Sequence, residues 1–230
     1  MLLNGAEKIW EGGPMYLHKS GVFKPGSDSV LLGRNARLDR VRSVCELGCG
    51  GGIISVILLH RNPGLSVTCL DISPAAASLT RTNLDINGFT ANVICGDLRK
   101  IRELLPAGSF DLVISNPPYY AVGQGIPPSD PDRAAARAED LCVLADICGA
   151  AAYLLRWGGR FSLVYKPERL CELFHQMSTG GIEPKYLRPV QYRVNTPPSM
   201  LLVEGRRGGN TGLSFEPPLL LARNNTEDTQ

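Results

Sequence analysis

Residues 42–62 read RSVCELGCGGGIISVILLHRN. They open as a short apolar run of strand character, pass through Gly48, Gly50, Gly51 and Gly52, and continue from Ile53 as a stretch apolar on most of its faces. Such a run is too long to be the turn itself and reads as a buried helix. Strand, glycine turn and buried helix, in that order, are the first half of a βαβ unit. The alternation continues outward from it. LSVTCLD (65–71) is a second strand, and SPAAASLTRTNLDING (73–88) is a helix with Ser73 as N-cap, Pro74 at its first position and Gly88 as its stop. ANVICGD (91–97) is a third strand, LRKIRELLP (98–106) a short helix and FDLVISN (110–116) a fourth strand. A helical stretch from Arg133 to Arg156 follows, closed by WGG, then RFSLVYK (160–166) as a strand and a helix opened by Pro167. Two last strand-like runs, KYLRPVQYRV (185–194) and MLLVEGRR (200–207), have only NTPPS between them and therefore pair antiparallel.

The fold class expected is α/β: a doubly wound, seven-stranded, mainly parallel sheet with an antiparallel edge hairpin. Near-continuous apolar strands support parallel pairing, because parallel strands are buried on both faces. Residues 1–25 lie outside the alternation and form an arm or lid, residues 26–222 form the main domain, and residues 223–230 are a polar tail.

Composition narrows the function classes. With 24 basic and 22 acidic residues the net charge is +2, which neither demands nor excludes a polyanionic partner. The N-terminus lacks the apolar core of a signal peptide, and no run is long enough for a membrane span, so the chain reads as soluble and cytoplasmic. Seven scattered cysteines without a CxxC, and only His18, His60 and His175 to join them, point to core-filling thiols in a reducing compartment. No metal site is expected.

In open sheets of this kind ligands bind beyond the carboxyl ends of the strands. The glycine loop there fails the GxGxxG dinucleotide pattern, since Ile53 or Ser55 occupies the last position, and shows GxGxG instead. That spacing suits a ligand without pyrophosphate. Asp71 ends the second strand, where a carboxylate can accept both hydroxyls of a ribose; Asp97 ends the third, within reach of an adenine amino group. Glu46, Asp71 and Asp97 on three successive strand ends, with Asn116 on the fourth, form one constellation.

With these residues in place the sequence resembles the class I S-adenosylmethionine-dependent methyltransferases. ELGCGGG, the acid of CLDIS, the acid of GDL and SNPPYY stand in family order, and NPPY marks the amino-methyltransferases of adenine and of glutamine amides. A narrower likeness rests on FKPGSDSVLLG (23–33), NPPYY, ARAED (136–140), YKPERLCELFHQM (165–177), GIEPKYLRPV (181–190) and FEPPLLL (215–221). These are similar to the adenine-N6 methyltransferases that act beside the anticodon of valine tRNA. The resemblance implies S-adenosylmethionine as cofactor and tRNA as partner. It implies that Asp28, Glu46, Gly48, Cys49, Gly50 and Gly52 lie against the cofactor, with Asp71 and Ile72 at its ribose, Asp97 and Leu98 at its adenine, and Asn116 at the reacting end. It assigns Asn116, Pro117, Pro118 and Tyr119 to the target base. The segment 121–135 departs from the family pattern, which leaves the particular RNA open.

The chemistry of NPPY follows from its residues. Two acceptors, the Asn116 side-chain oxygen and the Pro117 carbonyl, each take one N–H of an exocyclic amine. Pro117 and Pro118 stiffen the turn, Asn116 is pushed to extended backbone by the proline after it, and Tyr119 stacks on the base. Lys19, Lys24, Arg133, Arg137, Arg206 and Arg207 are the basic candidates for RNA contact. A glutamine-amide methyltransferase, an rRNA or DNA amino-methyltransferase, an inactive cofactor-binding protein and an NAD-dependent oxidoreductase are the competing readings. The last is opposed by the failed fingerprint, and the first lacks its usual separate helical domain.

Overall fold

The computed structural model describes residues 5–22, 26–117 and 144–222. Ala6–Lys8 (β1) and Met15–Leu17 (β2) form an antiparallel hairpin of their own. The main sheet is built from β3 (Ser43–Leu47), β4 (Ser66–Asp71), β5 (Asn92–Cys95), β6 (Phe110–Ser115), β7 (Leu155–Tyr165), β8 (Ile182–Gln191) and β9 (Met200–Arg207). Their order across the sheet is β8-β9-β7-β6-β3-β4-β5. β3 to β7 run parallel, while β9 is antiparallel to both β7 and β8. The seven expected strands are therefore present. Two further pieces, Ser214–Phe215 (β10) and Leu219–Leu220 (β11), add to the outer side of β8 and raise the count to nine. They are too short to show an alternating pattern in the sequence.

Helices α1 (Ser27–Asn35), α2 (Ile53–Arg61) and α3 (Pro74–Asp85) belong to one layer, and α4 (Ile101–Leu104), α5 (Leu144–Leu154) and α6 (Leu170–Thr179) to the other. α2 is buried at every position from Ile53 to Leu59, as its unbroken apolar run requires. α3 starts as its caps dictate: Ser73 Oγ accepts from the Ala76 amide at 3.3 Å, with Pro74 behind it. The two sides of the sheet carry separate cores. One is centred on Phe161, Leu163 and Leu154, the other on Ile57, Val44 and Leu112, all of them buried.

The helix expected to reach Arg156 ends at Leu154, and its part before residue 144 lies outside the described residues. Leu155 already pairs with Phe110, and the register then jumps to Leu112 with Arg160. The intervening Arg156–Gly159 form a bulge in which Gly158 takes φ +77°. WGG is thus a kink inside a strand, where a helix stop was expected. In the final hairpin β8 begins earlier, at Ile182, and stops at Gln191, so that Tyr192–Val194 belong to the loop.

Candidate active site

Parallel strands bring the ends of β3, β4, β5, β6 and β7 to a single edge of the sheet. After Leu47 the chain turns through Gly48, Gly50 and Gly52 at φ +68°, +54° and +77°, left-handed conformations that side chains other than glycine adopt at a cost. The loop is held from β4 and from α3. Gly48 and Cys49 donate to the Leu70 carbonyl at 2.9 and 3.0 Å, and the Gly50 amide donates to Asp71 Oδ2 at 2.7 Å. From α3, Thr80 Oγ1 donates to the Gly50 carbonyl at 2.8 Å and Asn83 Nδ2 to the Gly51 carbonyl at 2.9 Å. Its two faces differ. A Cβ on Gly51 would strike the Tyr16 hydroxyl, and one on Gly52 would lie 2.7 Å from Thr80, whereas one on Gly48 or Gly50 would meet no atom within 4 Å. The closed face packs on α3 and the arm, and the open face is a rigid cradle of backbone.

The acids beside the cradle do different work. Glu46 is buried (1% exposed) and turned inward, where its Oε2 accepts from the Ser55 amide at 2.9 Å and from the Ser55 hydroxyl. Burial outweighs both hydrogen bonds and pushes its carboxyl up to about 8. It ties the strand end to the first turn of α2. Asp71 accepts Gly50 N–H on one oxygen and Ser73 N–H, at 2.9 Å, on the other. Burial holds its pKa above the usual carboxylate range. An ionised carboxyl oxygen has a second lone pair, so both remain competent to accept a hydroxyl. Asp97 caps the short turn Leu98–Lys100 by accepting from the Arg99 amide at 3.0 Å, and the Arg99 guanidinium holds its carboxyl below the usual range. Ile72, 44% exposed, offers an apolar surface next to Asp71. Cys49 and Leu98 turn their side chains into the protein: Cys49 Sγ lies 3.5 Å from Thr80 Oγ1, and Leu98 packs on the core beside α5. Asp28 sits in the first turn of α1.

Asn116 follows directly on β6, with Pro117 buried behind it. Two bonds connect this corner to the rest of the edge. Ser115 Oγ donates to the Leu47 carbonyl at 2.9 Å, which joins the ends of β6 and β3, and Asn116 Nδ2 donates to Ser29 Oγ at 2.8 Å. Ser29 is 5% exposed on α1. The structure thereby brings Gly48, Gly50, Asp71, Asn116 and Pro117 to one edge. Pro118 and Tyr119 lie outside the described residues.

Sequence reasoning missed the polar supports Ser29, Ser55, Thr80, Asn83, Ser115 and Tyr16. The Tyr16 hydroxyl is buried at the glycine loop with no partner among the described residues. One signal was available: Thr80, Asn83 and Asn87 recur at helical spacing within SPAAASLTRTNLDING, on a helix whose other face is polar as well. Arg206 and Arg207 stand at the far end of β9, paired with Arg160 and Ile182, away from this edge. They are used there: Arg206 Nε donates to the Gly158 carbonyl at 3.1 Å and Arg207 Nη1 to the Leu155 carbonyl at 2.7 Å.

A parallel sheet of this order, with a glycine cradle after its first strand and acids on the next two, defines a Rossmann-like class I methyltransferase. The methyltransferase small domain model matches residues 17–179, and the chain belongs to that family. It is a methyltransferase, for which the sequence resemblance implies S-adenosylmethionine as methyl donor. A protein of Porphyromonas gingivalis named tRNA1(Val) (adenine(37)-N6)-methyltransferase is 31% identical over 193 residues, covering 80% of this chain and 75% of its own. One of the same name from Parabacteroides distasonis is 29% identical over 192 residues, covering 81% and 78%. Among solved structures, a predicted O-methyltransferase of Agrobacterium tumefaciens superposes with TM-score 0.69 at 22% identity, over 88% of this chain and 91% of that one. The Thermus thermophilus 16S rRNA N2 G1207 methyltransferase does so with 0.62 at 21%, over 88% and 49%.

The residues present fit the cofactor. The open backbone at Gly48 and Gly50 would hold the aminocarboxylate end of S-adenosylmethionine and Asp71 its ribose hydroxyls, with Ile72 exposed beside Asp71. Among the described residues no cluster of His, Cys, Asp and Glu is arranged to hold a metal, and no helix is long and apolar enough to cross a membrane.

Proposed function

We propose that this protein transfers a methyl group to the N6 amine of an adenine in tRNA. The observation that carries the reading is the Asn116–Pro117 corner, stitched to the end of β3 through Ser115 and to α1 through Ser29. The names of relatives about 30% identical over most of the chain support the same acceptor. Acting on tRNA would place the enzyme in the cytosol.

S-adenosylmethionine supplies a methyl carbon made electrophilic by the sulfonium, whose carbon–sulfur bond breaks with its electrons going to sulfur. The chain's part is positioning. Committing Asn116 Nδ2 to Ser29 defines which end of that amide donates and which accepts. The side-chain Oδ1 of Asn116 and the carbonyl of Pro117 then grip the two N–H groups of the adenine amine and favour the pyramidal nitrogen that attacks in line. The nitrogen becomes cationic on methylation and loses a proton to water, so no strong base is required of the site. Orientation and fixed dipoles account for the rate.

Incubation with labelled S-adenosylmethionine and total tRNA, followed by digestion to nucleosides and mass spectrometry, tests the reading. N6-methyladenosine in tRNA is the expected product. Label found only in protein, or only in rRNA or DNA, would refute it.

A further inference from the structure

The loop between β8 and β9 leaves the sheet at the same edge as Asn116, because β8 runs parallel to β7 and Val190 pairs with Met200 at that end. It displays Tyr192 at 60% and Val194 at 49% exposure, and Leu221 stands beside them at 40%. The Arg193 guanidinium lies over the Tyr192 ring, 5.5 Å from its centroid. Such side chains on a floppy loop would mean little, but this loop is braced. Thr196 Oγ1 donates to the Arg193 carbonyl at 2.7 Å and accepts from the Arg193 amide at 3.2 Å, and Gln191 Nε2 donates to the Thr196 carbonyl at 2.7 Å. Pro197 and Pro198 fix φ on the return, and the strap after β11 pins Tyr192 by a 2.9 Å bond from the Ala222 amide to its carbonyl.

We infer that Tyr192 and Arg193 form a platform for the unpaired RNA strand flanking the target base, with Tyr192 stacking a neighbouring base and Arg193 meeting its phosphate. This rests on the tRNA reading above. An aromatic ring paired with a guanidinium is the chemistry that recognises base and phosphate together. The position is also right: three strand spacings of about 4.8 Å separate β6 from β8, so Tyr192 stands about 14 Å along the edge from Asn116, within reach of a few nucleotides. Among the described residues Phe215, 71% exposed, lies midway along β8 beside Leu187, and Trp157, 75% exposed, belongs to the opposite edge, next to Gly208. Trp157 serves as an internal control.

The test uses the full chain and a fluorescently labelled RNA hairpin with an unmethylated adenine in its unpaired loop. Tyr192→Ala is expected to raise the Kd and KM for this RNA about tenfold. Its kcat at saturating RNA, its melting temperature and its Kd for S-adenosylmethionine should stay within twofold or a degree of wild type. Tyr192→Phe should restore binding, Arg193→Ala should reduce the salt slope of log K by about one, and Trp157→Ala should change nothing. Unaltered RNA affinity in both Tyr192→Ala and Arg193→Ala would overturn the platform, as would a loss confined to kcat or a dimer that Tyr192→Ala dissociates. If instead the wild type neither binds nor methylates RNA, it is the tRNA reading that fails, and the platform falls with it.

Discussion

In the proposed reaction one hydrogen bond, from Asn116 Nδ2 to Ser29 Oγ, sets which end of the amide meets the amine. A side-chain amide is nearly symmetric in shape, and only its partners decide which end accepts. Asn116→Ala removes the acceptor, and kcat should fall on the order of 100-fold or more while the Kd for S-adenosylmethionine, read by calorimetry, changes little. Ser29→Ala leaves the amide but releases its orientation. A smaller loss in kcat, about tenfold, is expected, again with cofactor affinity and melting temperature preserved; a change in cofactor Kd alone would assign Ser29 to the cofactor instead. Glu46 poses a different question, because its carboxyl is buried and raised to about 8 in the fold against 4.5 for an exposed glutamate. Between those values the folded state holds a proton that the unfolded chain releases. Its contribution to stability is therefore complete below about pH 4.5 and lost as pH rises through about 8. Wild type should lose melting temperature between pH 6 and 8 and Glu46→Gln should flatten that fall; parallel profiles for the two proteins would mean that Glu46 is ionised throughout.

At the scale of elements, the arm and α3 work as one piece. Asn83 Oδ1 accepts from the Leu17 amide at 2.7 Å and its Nδ2 donates to the Leu17 carbonyl at 3.0 Å; one turn on, Asn87 does the same for Met15, at 2.8 Å in each direction. Two asparagines thus imitate a neighbouring strand for β2. Because Asn83 Nδ2 also reaches the Gly51 carbonyl, the arm and the cofactor loop share a support. Replacing both asparagines by alanine should cost about 2–6 kcal/mol in denaturant unfolding, given roughly 0.5–1.5 kcal/mol for each of the four bonds to the arm. Amide exchange should speed up at Met15 and Leu17 but not in β3 or β6, and uniform protection in the double variant would show that apolar packing alone docks the arm. Caps and periodicity made α2 and α3 legible from their residues, and the glycine turn placed the cradle between β3 and α2. The arm's attachment was illegible, since it depends on residues 66 and 72 positions apart in the chain.

For the molecule as a whole, binding in the cradle should appear as a gain in stability. Saturation at about 100 times Kd adds about 2.7 kcal/mol. For a chain of this size that corresponds to a rise of about 5–10 °C in melting temperature. Gly48→Val, which puts a branched side chain into the open face at φ +68°, should abolish the shift whatever it does to the starting temperature. A shift that survives would move the cofactor elsewhere. The sequence by itself determined the strand and helix order, the parallel sheet with its antiparallel final hairpin, and the motif positions at Gly48–Gly52, Asp71, Asp97 and Asn116. These are local properties: apolar period, caps, turn residues and their order along the chain. Only the tertiary structure decided that Glu46 turns inward, that Asp97 is taken up by Arg99, and that Ser29 orients Asn116. It also separated Arg206 and Arg207 from the site and put Tyr192 and Arg193 on its edge, because β9 reverses direction beside β7. The physical reason is that hydrogen-bond partners and sheet edges are set by pairing between distant strands, and side-chain chemistry read along one strand carries no record of which end faces the ligand.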